Sequence, residues 1–287
     1  VPDNKKRSEE ALANLNRELK SRERKTKTRP VGVALIALLA IVALVGGVWF
    51  MASRDSSDEE ITAEDQNTTE TTESEEQPEA VALTGKRAEA LPETVTCEYP
   101  ATEGQDSNGA TVPNGDGIST KGTVKVNFAT NQGDMEMELD RSVAPCTVNA
   151  ITHLADEGYY DGSVCHRMTS GGLNVLQCGD PTGTGSGGPG FSFANEYPTE
   201  KDAEAGQPVT YPKGSIAMAN SGKDTNGSQF FVNYADSQLA PDYTYFGQLT
   251  EKGQETLEKI AEKGVEGGQP DGKPAEEVKI DKVSVES

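Results

Sequence analysis

Histidine, cysteine, tryptophan and basic residues are all scarce in this chain of 287 residues. Two histidines cannot build a three-histidine metal site, and four cysteines without a CxxC pair give neither a zinc ribbon nor a thiol-redox motif. Lys and Arg number 26 against 47 Asp and Glu, so the net charge is −21 and the pI is near 4.5. Nucleic acid is therefore not expected as a partner, because binding phosphates needs a basic face. A glycine-rich run is present, but no GK[ST] follows it, so it does not read as a phosphate loop. No metal and no cofactor is expected. Apolar residues make up 34% and mean hydropathy is −0.60, so only part of the chain forms packed core.

Charge divides the chain. Residues 1–30 carry ten Lys/Arg and five Asp/Glu, residues 52–120 three and seventeen, and residues 121–287 thirteen and twenty-five. Between the first two blocks, Val31 to Met51 holds 21 residues without a charge. As a helix it is about 31 Å long, enough to cross a hydrocarbon core of ~30 Å. The basic block before it and Asp55, Asp58, Glu59 and Glu60 after it place the N-terminus in the cytoplasm. A cleaved signal peptide fits less well: the run exceeds the usual apolar region, and no small-x-small site follows Met51. The expected organisation is a basic cytoplasmic tail (1–30), a transmembrane signal-anchor helix (31–51), an acidic disordered extracytoplasmic linker (52–121) and a folded domain (122–287). The protein would thus sit in the cell membrane as a single-pass protein with its C-terminal domain outside. Residues 52–80 are Asp, Glu, Ser and Thr with almost no large apolar residue, too little to offset chain entropy. Val95 to Tyr99 reads as a short strand, and Cys97 hints that this stretch is tied to the domain.

From Gly122 the texture changes. Val124, Val126 and Phe128 alternate with polar residues, a turn follows at Asn131-Gln132-Gly133, and Met135, Met137 and Leu139 alternate again, which predicts a β-hairpin. Val148, Ile151, Leu154 and Ala155 form the apolar stripe of a helix over 147–157, behind Pro145 and ahead of Gly158. Leu257, Ile260 and Ala261 mark a second helix over 251–263, and Val278, Ile280, Val283 and Val285 a last strand. Many short strands with two helices predict a mainly β fold, a closed antiparallel barrel capped by the helices.

Three segments carry the candidate chemistry: Cys165-His166-Arg167-Met168, Leu176-Gln177-Cys178-Gly179-Asp180 with its glycine run, and Met218-Ala219-Asn220-Ser221 with Gly227-Ser228-Gln229-Phe230-Phe231 behind it. Together with Tyr245-Phe246-Gly247, their order and spacing resemble the cyclophilin-type peptidyl-prolyl isomerases over about residues 122–287. The tethered arrangement looks like that of actinobacterial surface members. The resemblance implies an eight-stranded barrel and an isomerase of X-Pro bonds acting on proline-containing polypeptides. It needs no cofactor and implies a monomeric catalytic domain. That chemistry asks for a slot for the proline ring, polar groups for the neighbouring backbone, and a donor that favours the twisted, deconjugated amide. The resemblance assigns the donor to Arg167, with Gln177 orienting it. Met218, Ala219, Asn220, Gln229, Phe231, Leu239 and Tyr243 become substrate-binding residues. His166 reads as structural, since no acid or nucleophile accompanies it.

The chain departs from the family pattern at one wall of the slot. Leu173, Asn174 and Val175 stand where a Phe-Met pair is usual, and the span from Arg167 to Gln177 is about two residues longer. Gln238 and Leu239 together cover the position of a tryptophan that eukaryotic members present to cyclosporin, and the only tryptophan here is Trp49. Weak cyclosporin binding follows. A binding module or chaperone that captures proline-containing segments with little turnover is the rival reading. The four cysteines allow three disulfide pairings. Cys146 opens the first helix and Cys165 the His-Arg strand, so Cys146–Cys165 is expected, leaving Cys97–Cys178.

Overall fold

Alternation decides the first structural unit of the computed structural model, which describes residues 80–203 and 207–286. Strands β1 (Thr123–Thr130) and β2 (Gly133–Asp140) form the expected hairpin, with Val126 paired to Met137 and Phe128 to Met135. Val124, Val126, Phe128, Met135, Met137 and Leu139 are buried on one face, and the residues between them lie nearer solvent. Gly133 has φ of +123°, and a Cβ there would sit 3.1 Å from Thr256 of the second helix. Glycine thus serves both the turn and the close approach of that helix.

Helix α1 spans Pro145–Asp156, with proline in its first turn. Ala144 at its N-cap has no side chain to bond the free N–H groups. Glu196 takes that role from a distant loop: its carboxylate accepts the N–H of Cys146 (3.0 Å) and Thr147 (2.7 Å) and the Thr147 hydroxyl (2.7 Å). Helix α2 spans Glu251–Lys263 and caps itself, Thr250 accepting from the N–H of Gly253. Both helices bury the stripes expected of them, although Ala261 is only partly buried.

The remaining strands of the main sheet are β3 (Arg167–Thr169), β4 (Val175–Cys178), β5 (Ser215–Met218), β6 (Phe230–Asn233), β7 (Tyr245–Leu249), β8 (Asp271–Gly272) and β9 (Ile280–Glu286). The order is β8-β3-β4-β6-β5-β7-β2-β1-β9, antiparallel throughout. The closed eight-stranded barrel expected above is thus corrected to an open, half-barrel sheet of nine strands. No ladder joins its two edges; the chain just before β3 meets the start of β9 through the isolated bridge Val164–Lys279 and the backbone hydrogen bonds around it, Cys165 N–H to the Val278 carbonyl and Gly162 N–H to the Ile280 carbonyl among them. The ninth strand is the two-residue β8, which pairs with the edge of β3 (Asp271 with Thr169, Gly272 with Met168).

Residues 80–121 differ most from expectation. The sequence reads them as linker, yet they pair with and pack on the folded domain. Val81–Ala82 adds a parallel edge to Val209–Tyr211, which pairs in turn with Ser237–Leu239. Thr94–Val95 pairs with Ile118–Ser119. Tyr99 is buried edge-on against Phe191 and Phe193, with centroids 5.6 and 5.7 Å away, and donates its hydroxyl to the carbonyl of Cys146. A few anchors hold a polar stretch whose average composition conceals them. The tail, the apolar span 31–51 and the linker up to residue 79 lie outside the described residues. Among the described residues no helix is long and apolar enough to cross a membrane.

The disulfides correct the expected pairing. Cys97 bonds Cys146, and Cys165 bonds Cys178. The physical reason is the antiparallel pairing of β3 and β4: it brings Cys165, in the irregular chain just before β3, beside Cys178 at the end of β4, 4.0 Å apart at Cα. That leaves Cys146, in the first turn of α1, to Cys97 of residues 80–121, the arm of the domain.

Candidate active site

Three neighbouring strands bring the central residues together. Arg167 on β3 lies opposite Gln177 on β4, which lies opposite Phe231 on β6. Residues opposed across a sheet share a face, so one row presents a cation, an amide and an aromatic ring. They line a cavity of about 150 Å³ with Leu173, Val175, Ala219, Asn220, Leu239 and Tyr243. A dry apolar cavity of comparable volume admits a benzene ring, so a five-membered ring fits by size.

The polar side of this cavity is a chain of hydrogen bonds. Asp271 accepts from Nε and Nη2 of Arg167, at 2.9 and 2.8 Å, as a bidentate fork. Arg167 Nη1 donates to Gln177 Oε1 (3.1 Å), and Gln177 Nε2 donates to Gln229 Oε1 (2.9 Å). Gln229 Nε2 donates to the carbonyls of Gly185 (3.0 Å) and Gly187 (2.9 Å). The glycine loop is held by buried Asp180, which accepts the N–H groups of Thr182, Thr184, Gly185 and Gly187 and the Thr182 hydroxyl. Burial pushes the Asp180 carboxyl up, but these bonds together outweigh it and hold the group below its ordinary value. The hydrogen bonds of the Arg167–Asp271 fork, aided by their mutual attraction, raise the guanidinium and lower the carboxyl, so both stay charged.

The apolar side is built by packing. Phe231 meets Tyr243 edge-on at 5.7 Å and Tyr211 at 6.3 Å, and the Tyr211 hydroxyl donates to the carbonyl of Tyr243. Leu239 reaches the cavity while Gln238 on the same short strand is exposed, so Leu239 occupies the wall where the sequence left both open. Leu173 and Val175 complete the wall at the hairpin that departs from the family pattern. Asn220 donates to the carbonyl of Asp242 (2.8 Å) and accepts from the N–H of Gly222, which fixes its amide at the rim.

Two expected residues fall differently. Met218 is fully buried, paired with Phe230 on the core side of β5, and does not line the cavity. Gln229 stands one step away, in an adjoining groove of about 320 Å³ that shares Gln177, Ala219 and Asn220 and is bordered by Thr102 and Gln105 of the arm. Asp271 was not foreseen; it lies in a Gly/Pro-rich stretch with no motif, and only the β8–β3 pairing carries it to Arg167. His166 lies outside the cavity lining, its ring nitrogens unpartnered and its pKa lowered by burial. A larger cavity, about 710 Å³, runs between the arm and residues 195–203, lined by charges of both signs, and holds none of the expected residues.

Residues 125–285 match the family described as cyclophilin type peptidyl-prolyl cis-trans isomerase/CLD. A probable peptidyl-prolyl cis-trans isomerase B of Mycobacterium tuberculosis is 47% identical over 193 residues, covering 65% of this chain and 63% of that protein. One from Mycobacterium leprae is 46% identical over 198 residues, covering 67% of each. The chain thus spans about two thirds or slightly less of these relatives' lengths. A cyclophilin-type isomerase of Cryptosporidium parvum, solved by crystallography, shares 32% identity over 58% of this chain and 99% of its own, with a TM-score of 0.49. With a family match across most of the described sheet and relatives of this identity, the chain belongs to the cyclophilin-type peptidyl-prolyl cis-trans isomerases.

Proposed function

We propose that this protein accelerates rotation about X-Pro bonds, and that it does so outside the cytoplasmic membrane on exported or envelope proteins. The observation that carries the first half is the row of Arg167, Gln177 and Phe231 across three strands, with a guanidinium at the mouth of an apolar slot sized for one ring. The barrier to rotation is ~18–20 kcal/mol and arises from amide resonance. A group that binds only the twisted state, in which the proline nitrogen has recovered its lone pair, lowers that barrier. Arg167 is the donor to that state. The ring rests on Phe231, Leu239 and Tyr243 and Asn220 holds the neighbouring main chain, while Gln229, whose two amide hydrogens bond the Gly185 and Gly187 carbonyls, ties Gln177 to the glycine loop beside the substrate. Gln177 accepts from Nη1 of Arg167 and so orients the guanidinium.

The second half rests on the charge asymmetry around residues 31–51 and on the four half-cystines, which suit an oxidising compartment. The aliphatic wall at Leu173 and Val175 favours a second reading, a module that holds proline segments with little turnover. Exchange measurements on a proline peptide separate the two. The purified full-length chain should catalyse cis/trans exchange, and Arg167→Ala should abolish most of it while the peptide still binds. Binding without exchange in the unmodified chain would refute the enzymatic reading. Protease added to spheroplasts should cleave within residues 52–79 and release the domain; protection until lysis would refute the orientation.

A further inference from the structure

We propose that Asp271 is a positioning residue for isomerisation, holding the guanidinium of Arg167 in the orientation that reaches a twisted amide. The inference rests on the role given to Arg167 above. The geometry is specific. Asp271 faces Thr169 across the β8–β3 pair, and Arg167 lies two residues before Thr169 on the same face of β3. Asp271 is therefore the diagonal neighbour of Arg167, within reach of a long side chain. Its backbone is held from both sides, by the Gly272–Met168 pairing and by the Ser170 N–H bond to the carbonyl of Pro270 (2.8 Å).

A guanidinium has five N–H donors in a rigid plane. Asp271 takes the Nε–H and one Nη2–H, and Gln177 takes one Nη1–H. The two remaining donors belong to the Nη1 and Nη2 ends, and the three contacts leave the plane no freedom to turn. Without Asp271, only the Gln177 bond would orient a long side chain with many rotamers. Stability is not the purpose of this fork, because both side chains are part-exposed, at 39% and 54%, and exposed ion pairs add little to folding. Asp271 also sits on the one strand that extends the sheet beyond β3, so β8 serves the site that it borders.

The test is kinetic. Full-length Asp271→Ala should lower kcat by about tenfold to a hundredfold, the range for a misplaced catalytic group, with KM changed far less. Asp271→Glu should recover part of the loss. Added to Arg167→Ala, the Asp271→Ala change should cost nothing more, since it acts only through the guanidinium. Unchanged kcat in Asp271→Ala, beside an inactive Arg167→Ala, would overturn the positioning role and leave that of Arg167 standing. The same loss from Asp271→Ala in both backgrounds would overturn it as well, showing a structural effect. Wild-type activity in Arg167→Ala would instead refute the reading of Arg167 itself. Should Asp271→Ala fail to fold, Asp271→Asn keeps the shape without the charge, and its kcat decides by the same criteria.

Discussion

The two sides of the proline slot are held by different physics. On the polar side, Asp271, Arg167, Gln177, Gln229 and the Gly185 and Gly187 carbonyls form one unbroken chain of hydrogen bonds. A disulfide, Cys165–Cys178, ties together the strands that carry its centre. On the opposite side, Leu173, Val175, Phe231, Leu239 and Tyr243 meet only by packing, and no tryptophan is among them. Hydrogen bonds to charged groups are directional and fail when one partner is lost. Apolar contacts tolerate a change of shape at modest cost. Turnover should therefore depend on the polar side, and affinity and ligand choice on the apolar side.

Arg167→Ala attacks the polar side at its centre. Turnover should fall by about two to three orders of magnitude, as when a donor to a developing charge is removed. Arg167→Lys should recover little, since a lysine has no planar fork. Both should unfold at nearly the wild-type denaturant concentration, and a large shift there would show that the chain of bonds carries stability rather than rate.

Phe231→Ala attacks the other side. Phe231 is only 5% exposed, so the change should destabilise the fold by roughly 3–5 kcal/mol. Phe231→Leu keeps most of the volume and should cost less than about 1.5 kcal/mol, while raising KM more than it lowers kcat. A fall in kcat as deep as that of Arg167→Ala would erase the distinction between the two sides.

Leu239→Trp sharpens it. An indole N–H at that wall offers one more hydrogen bond, worth about 0.5–1.5 kcal/mol. The unmodified protein should bind cyclosporin weakly, and the variant should bind it up to about tenfold more tightly. Nanomolar inhibition of the unmodified protein would show that the aliphatic wall does not set ligand choice.

Acid should produce the smallest effect, and only on the polar side. Asp180 is held below its ordinary value of 3.8 by the glycine-loop hydrogen bonds, against the upward push of burial. A depressed carboxyl contributes stability that is present above its unfolded value and is lost as pH falls through the folded one. Protection of the Thr182, Thr184, Gly185 and Gly187 amides, taken relative to their intrinsic exchange rates, should therefore hold down to about pH 4 and fall below it. Asp180→Asn should remove that dependence; a variant whose protection at these amides still falls below about pH 4 as in the wild type would refute it.

Local pattern made much of this molecule legible. Alternation of Val124, Val126 and Phe128 against Met135, Met137 and Leu139 specifies the hairpin, because a strand buries every second residue whatever lies beyond it. The stripes of both helices and their stops at Gly158 and Gly264 are equally local. The resemblance of three short motifs to the cyclophilin family singles out Arg167, Gln177, Asn220, Gln229 and Phe231, and the structure gathers them around one slot and its adjoining groove. What stayed hidden depends on segments distant in the chain. The disulfide partners follow from the pairing of β3 with β4 and the docking of Cys97 on α1, which no cysteine count contains. Residues 80–121 look polar on average, and only their docking at Tyr99, Cys97 and the edge strand Val81–Ala82 makes them part of the domain. Met218 and Ala219 are adjacent, yet the pleat sends one into the core and brings the other to the slot. Asp271 lies 104 residues beyond Arg167, and a two-residue strand at the sheet edge joins them. Periodicity determines which face of an element is buried; only the packed sheet decides which faces meet.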